Sequence, residues 1–381
     1  MKIIIAPDSF KESMSAMEAA QAIESGFQRV FSEAEYIKVP MADGGEGTVQ
    51  SIVDATNGKI MTVAVTGPLG QKVKAFYGVT GNGKAAVIEM AAASGLHLIP
   101  EEKRNPLYTT TRGTGELIIA ALEQGVDHVI IGIGGSATND GGAGMAQALG
   151  ASLLDSDGKD IGYGGGELSR LSTIDMSHLD SRLSDVSVDI ACDVDNPLLG
   201  KHGATAIFGP QKGATPDMGL VLEENLTHYA SVLKIDLGKD VANIPGSGAA
   251  GGLGAGLLAF LNAKLKRGVD VVIEAVQLDN MMKGASLAVT GEGKLDHQTA
   301  YGKTPMGVAK IAKKHGVPVI GIAGMIEMEN VQMKASGIDA IFPIVPGPID
   351  VKDAMEHAIE YTEQAAENIA GIIKISLNKD F

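Results

Sequence analysis

The apolar positions along this chain follow two patterns. Towards both ends, short β-branched runs alternate with stretches of helical spacing. Residues 2–6 predict a first buried strand, with the loop Pro7-Asp8-Ser9-Phe10-Lys11-Glu12-Ser13 after it. Ser15 and Glu18 then form a capping-box pattern, and Ala19, Ile23, Phe27 and Val30 keep helical spacing. Residues 36–40 predict a second strand, followed by Asp43-Gly-Gly-Glu-Gly-Thr48 and a short helix from Val49. Near Gly58 the pattern changes. Residues 59–65, 72–80 and 85–89 are strand-like runs parted by Gly67-Pro68 and Gly81-Asn82-Gly83, turn signals that predict antiparallel hairpins. A helix is expected over 114–124, with Arg112 just before it. Strands are expected over 129–131, 151–154 and 186–191, and helices over 143–149 and 218–233. Strand–loop–helix alternation returns at 286–289, where 290–299 reads as the loop. A helix over 308–314, strands over 317–322 and 340–345, and a closing helix over 353–373 follow, the last with Ala358, Ile359, Ala365 and Ile369 inward.

Between these elements lie Gly-rich loops that carry acids, hydroxyls and lysines. The richest is Gly132-Ile-Gly-Gly-Ser-Ala-Thr-Asn-Asp-Gly-Gly142, after the 129–131 strand. Glycine lets a backbone approach a ligand closely, and a helix N-terminus favours an anion. Gly134, Gly135, Ser136, Thr138 and Asn139 are therefore candidates for holding a phosphate or carboxylate; a tight turn that binds nothing is the alternative. Asp8, Ser9 and Lys11 sit on a strand-to-helix loop, where open α/β sheets bind ligands. Asp43 lies on a second acidic loop. Asp193 and Asp195, two apart, point to one side if extended, and could share a metal or supply a general base. Arg112 could fork onto a carboxylate, although surface pairing is the commoner fate of a single Arg. Lys212 stands in the tight loop Gly209-Pro-Gln-Lys-Gly213, and Gly291, Glu292, Gly293 and Asp296 in the loop expected after residue 289. Gly246-Ser-Gly-Ala-Ala-Gly251 has dinucleotide spelling but no strand before it. Gly302-Lys303-Thr304 looks like the end of a Walker A loop, but His297 stands where glycine is required.

Length and charge narrow the classes. A chain of 381 residues favours two domains. A net charge of −15 argues against nucleic acid and anionic membrane as partners. Cys192 is the only cysteine, which rules out an intrachain disulfide and a cysteine-based zinc site. No targeting signal or membrane span is apparent, so a cytoplasmic protein is expected.

Backbone N–H cradles, a few carboxylates for magnesium and lysines for transferred charge are what phosphoryl transfer needs. The residues alone thus favour a small-molecule kinase. An NAD-dependent oxidoreductase of a small hydroxy acid competes, because Gly132-Ile-Gly-Gly-Ser-Ala137 fits G-x-G-x-x-A and Asp155 ends the next strand. A non-catalytic binding module is the third class.

Several segments together resemble the bacterial type-1 glycerate kinase family, the glycerate 2-kinases in particular. They are Ala6-Pro-Asp-Ser-Phe-Lys-Glu-Ser13, Ala42-Asp-Gly-Gly-Glu-Gly-Thr48, Glu89-Met-Ala-Ala-Ala-Ser-Gly95 and Thr111-Arg-Gly-Thr-Gly-Glu-Leu117, then residues 131–144, Ala191-Cys-Asp193 with Asn196-Pro197, Phe208-Gly-Pro-Gln-Lys-Gly213, and Thr290-Gly-Glu-Gly293 with Asp296. The resemblance implies an α/β fold of two domains. One is Rossmann-like with a mainly parallel sheet, built from 1–60 and 284–381; the other is a mixed-sheet α/β domain, 61–283, inserted into it. It implies an active site in the cleft between them, with ATP and Mg2+ as cofactors. It also implies phosphorylation of D-glycerate to 2-phospho-D-glycerate in sugar-acid catabolism, with the 3-phosphoglycerate product as the alternative. Chemistry then distributes the roles: Asp193 as base with Asp296 second, Lys11, Lys212 and Arg112 against anionic charge, and Asp43, Asp195 and Glu292 towards metal. A homodimer stays open.

Overall fold

The structure, a computed structural model, describes residues 1–296, 303–327 and 337–378. In chain order the strands are β1 Lys2–Ile5, β2 Glu35–Lys38, β3 Lys59–Thr66, β4 Lys72–Val79, β5 Ala85–Glu89, β6 His128–Gly132, β7 Ser152–Leu154, β8 Thr173–Asp175, β9 Ser187–Ala191, β10 Lys264–Lys266, β11 Leu287–Leu295, β12 Val319–Ile326 and β13 Ala340–Pro343. The chain divides into two compact units. The first is Met1–Asp43, Gln50–Asn57 and Val269–Phe381; the second is Gly44–Val49 and Gly58–Gly268.

The first unit is built on a parallel sheet of order β13-β12-β11-β1-β2. Side chains alternate across it. Ile3, Ile5, Leu287, Val289, Ile320 and Ile322 form one core with Ala19, Ile23 and Phe27 of the helix Ala16–Gln28 and with Ala366, Ile369 and Ala370 near the C-terminus. Each large side chain buried there contributes about 1.5–3 kcal/mol. The capping box forms: Glu18 N–H donates to Ser15 Oγ at 3.2 Å, and Ser15 N–H to Glu18 Oε2 at 2.8 Å.

Two expectations change in this unit. The loop expected from Thr290 is strand as far as Leu295, paired with β12 down to Leu295 opposite Ile326. Its glycines suit that close pairing: a Cβ on Gly291 would lie 2.3 Å from the carbonyl oxygen of Ile322. The remainder of that expected loop, with His297 and Gly302, lies outside the described residues. The closing helix is two, Val351–Glu356 and Ala358–Leu377, separated at His357. Its buried stripe is Ala358, Thr362, Ala366, Ile369 and Ala370, so Ile359 points outward.

The second unit holds a mixed sheet of order β10-β9-β6-β5-β4-β3. β3, β4 and β5 form the antiparallel meander that the turn signals predict, and β5, β6, β9 and β10 run parallel. Its core takes Leu117 and Ile118 from the helix Arg112–Leu122, and Leu226, Tyr229 and Leu233 from the helix Pro216–Leu237. Arg112 is the first residue of its helix, not a residue before it. The segment Gly246–Gly251 follows no strand and precedes a helix, Leu253–Leu261, that ends where Asn262 turns left-handed.

Candidate functional site

Each unit carries a cluster of the predicted residues, and each cluster sits at the carboxyl ends of parallel strands. In the first unit the strand order reverses between β1 and β11: the chain leaves β1 towards β2, and leaves β11 towards β12 and β13. Such a switch point opens a crevice outside the strand ends. Here the crevice is a cavity of about 820 Å³. Asp8, Ser9 and Lys11 line it from the loop after β1, Asp43 from beyond β2, and Glu292, Gly293 and Asp296 from β11 and just past it. The first loop is tied to β11 by two bonds: Asp8 N–H donates to the Gly291 carbonyl at 2.8 Å, and Thr290 Oγ1 to the Ala6 carbonyl at 2.8 Å.

The Asp8 carboxylate accepts from Ser9 N–H at 2.7 Å and from Thr304 Oγ1 at 2.5 Å. Its pKa is nonetheless pushed up to about 6. Desolvation outweighs the Thr304 bond, and the charge of Asp43 adds to it, against the pull of Ser9 and Lys11. A carboxylate so placed gains from an arriving cation. Among the described residues no three His, Cys, Asp or Glu side chains gather to hold an ion by themselves. Magnesium does not require that, since it takes one or two carboxylates and completes its shell with phosphate oxygens and water. Asp43 and Glu292 fit such a role.

In the second unit, β6 releases the Gly-rich loop and β9 releases Asp193 and Asp195 on the neighbouring strand end. Gly134 and Gly135 are exposed, whereas Ser136, Thr138 and Asn139 are buried. The loop is held from below. Thr109 Oγ1 donates to the Ala137 carbonyl at 2.8 Å, Lys212 Nζ to the Thr138 carbonyl at 2.6 Å, and Asn139 Nδ2 to Thr205 Oγ1 at 3.0 Å. Gly251 backs directly onto it: its φ is +68°, and a Cβ there would stand 1.9 Å from the Thr138 oxygen. Thr138 Oγ1 and Asn139 Oδ1 are buried without a hydrogen-bond partner among the described residues. Groups of that kind await a ligand or water.

Asp140, which no motif singled out, organises the turn. It is fully buried and accepts from Thr111 N–H at 2.8 Å, Thr111 Oγ1 at 2.9 Å, Gly142 N–H at 3.2 Å and Gly144 N–H at 3.3 Å. Burial raises its pKa and these donors oppose the rise. The helix Ala143–Ala148 therefore starts with its donors in use, since Met145 N–H also bonds Thr111 Oγ1 at 2.9 Å. The expected anion site at that helix end is filled from within the protein. What the loop leaves exposed is the backbone of Gly134 and Gly135. The late start of the helix, at Ala143, also removes the compact turn that a dinucleotide needs after Ala137.

Asp193 and Asp195 are exposed, and Asp193 Oδ1 accepts from Gly268 N–H at 2.9 Å. Between the two aspartates and β9, the Cys192 thiol is half-buried, with its pKa raised chiefly by burial, which leaves it a poor nucleophile. Lys212 is 1% exposed and lies beneath the loop. Burial lowers its pKa to about 7, against the opposing charge of Asp140. Arg112 pairs with Glu116 at 3.3 Å and stacks over the Tyr163 ring, 5.7 Å from its centre, in a separate hollow with Gln147 and Asp160.

Two more residues were legible only in part. Glu89, at the end of β5, accepts from Val49 N–H at 2.9 Å, and desolvation raises its pKa. Thr304 entered the sequence reading only as part of a failed Walker A spelling, yet it anchors Asp8. No helix among the described residues is long and apolar enough to cross a membrane.

Comparison with known proteins identifies the family and the fold. The family model described as Glycerate kinase family matches residues 3–374. A protein named Glycerate kinase from Bacillus subtilis (strain 168) is 62% identical over 376 residues, covering 99% of this chain and 98% of its own. A protein named Glycerate 2-kinase from Escherichia coli (strain K12) is 54% identical over 377 residues, covering 99% of each chain. A crystal structure from Salmonella typhimurium LT2, of a protein provisionally named glycerate kinase 2, superposes with a TM-score of 0.92 at 53% identity over 100% of both chains. The chain belongs to the glycerate kinase family.

Proposed function

We propose that this glycerate kinase transfers the γ-phosphoryl group of ATP to the 2-hydroxyl of D-glycerate, giving 2-phospho-D-glycerate and ADP, and that it serves sugar-acid catabolism. The observation that carries the chemical part is Asp193. It is an exposed carboxylate at a strand end, oriented by the Gly268 N–H, next to a loop whose Gly134–Gly135 backbone is exposed and whose Thr138 Oγ1 and Asn139 Oδ1 are buried with no partner among the described residues.

In this reading the glycerate carboxylate rests on the Gly134–Gly135 backbone and is oriented by Ser136, Thr138 and Asn139. Asp193 takes the proton from the 2-hydroxyl as its oxygen attacks the γ-phosphorus. The bond to the β,γ-bridging oxygen breaks and ADP departs. Asp296 is the second candidate for the base. Lys11, exposed on the cavity rim, offsets charge on the phosphates. Lys212 acts on the loop from beneath, and its buried ammonium adds positive potential there. Asp43 and Glu292 would hold magnesium in the first unit, with Asp195 a separate candidate in the second, and the ion would draw charge from the phosphate oxygens.

The 2-hydroxyl is favoured over the 3-hydroxyl by similarity to the Escherichia coli relative, whose name specifies that position. Coupling to enolase tests it, because enolase consumes 2-phosphoglycerate directly. A signal without added phosphoglycerate mutase supports the proposal. A signal that requires the mutase assigns the 3-hydroxyl.

A further inference from the structure

We infer that the apolar end of the first-unit cavity seats the nucleoside of the phosphoryl donor, an inference that rests on the kinase reading above. The cavity is divided by chemistry. One end has Asp8, Lys11, Asp43, Glu292 and Lys303. The other, on the β12–β13 side of the sheet, is walled by Met325, Ile326, Pro343, Ile344, Ile349 and Met355; Lys294, opposite Met325 on β11 and paired with Glu327 at 2.8 Å, stands at the border between the two ends.

The two substrates of the proposed reaction differ in what they can offer such a wall. Glycerate is three carbons carrying a carboxylate and two hydroxyls, and has no apolar face. Placed against Pro343 and Ile349 it would lose hydration and regain no hydrogen bond. A nucleobase is flat and largely apolar on both faces, and gains by leaving water there. Size agrees: about 820 Å³ suits a nucleotide and is far more than a three-carbon acid fills.

The wall is also open to water. Met325 is 53% exposed and Val351 is 74% exposed, side chains that a ligand would cover. Methionine adapts its shape to a planar ring. At the opposite end Lys11 and Lys303 complement a polyphosphate, and the carboxylates beside them suit the ion that travels with it. A nucleotide laid along the cavity thus meets an apolar surface with its base and mixed charge with its phosphates. The crevice lies at the switch point of a parallel sheet, where such ligands bind.

The test has two arms on the full-length protein. Photolabelling with 8-azidoadenosine triphosphate, with and without excess ATP, is followed by peptide mapping. ATP-protected label within residues 319–326 or 340–358 supports the inference, and protected label confined to residues 58–268 overturns it. Met325→Glu places a charge on the exposed part of the wall, where folding tolerates it. Calorimetry should then show ATP bound at least tenfold more weakly, with D-glycerate affinity unchanged. Unaltered ATP affinity overturns the inference. Wild-type turnover of ATP with D-glycerate is measured in parallel. Its absence, with labelling intact, sinks the kinase reading and leaves the nucleoside site standing.

Discussion

The ammonium of Lys212 donates to the carbonyl oxygen of Thr138 at 2.6 Å, and both residues are buried. A long cationic side chain is thereby spent on a single backbone atom of the Gly-rich loop. Removing it with Lys212→Met should loosen the loop and lower kcat/KM for glycerate by about tenfold or more, a loss of about 1.4 kcal/mol in transition-state binding. The pH dependence is specific. The folded pKa of about 7 lies below the ordinary 10.5, so the charged form destabilises the fold. That penalty is complete below pH 7 and fades as pH rises towards the ordinary value. Urea midpoints for wild type and Lys212→Met at pH 7 and pH 9.5 should therefore shift relative to each other, in favour of wild type at the higher pH. An unchanged difference contradicts the assignment.

Asp140 accepts four hydrogen bonds in a fully buried turn. Asp140→Asn keeps the shape but offers one acceptor oxygen, and turns an N–H2 towards N–H donors. The expected loss is on the order of 2–4 kcal/mol, from stranded donors and the loss of the opposing charge for Lys212. Equilibrium urea unfolding measures it, and a loss below about 0.5 kcal/mol would show the turn to be held by other means.

Asp8 works in the opposite sense. Its pKa is raised from 3.8 to about 6, so ionising it costs folding free energy. Stability from this group is complete below pH 3.8 and is lost as pH rises through 6. Asp8→Asn removes that cost and should raise the stability of the fold at pH 7.5, on the order of 1–3 kcal/mol after allowance for its partial exposure. At pH 4 the gain should vanish. Thermal scans at both values decide, and a variant less stable than wild type at pH 7.5 would refute the sign. The same substitution should impair turnover, a site carboxylate being kept at the expense of stability.

Asp193→Asn separates chemistry from binding. As the base, Asp193 should account for about 10²–10⁴ in kcat. ATP affinity should stay within about twofold, because the substitution removes only the proton acceptor. Initial rates and calorimetry on the same preparation give both numbers. A kcat within tenfold of wild type passes the role to Asp296.

Much of the fold was legible from short-range patterns. Ser15 and Glu18 signalled their helix because the capping box is local, and Gly67-Pro68 signalled a hairpin for the same reason. The extent of β11 was not legible. Thr290-Gly-Glu-Gly293 has loop composition, and pairing with β12 on one side and the bonds to Ala6 and Asp8 on the other hold it extended. The site divides in the same way. Asp8, Ser9, Lys11, Asp43, Glu292, Gly293 and Asp296 each stand out by loop chemistry alone, and the sheet's switch point brings them onto one cavity. Asp140 escaped notice because its partners lie both beside it and at Thr111, 29 residues earlier. An Asp two places before a Gly that opens a helix was the one available hint. The burial of Lys212 depends wholly on long-range packing and left no local trace.

The most direct measurement is the position of the new phosphate. Uniformly 13C-labelled D-glycerate, ATP and magnesium are incubated with the enzyme, and the product is read by 13C and 31P NMR. Transfer to the 2-hydroxyl gives phosphorus coupling centred on C2, from 2-phospho-D-glycerate. Coupling centred on C3, or no phosphorylated glycerate at all, would contradict it.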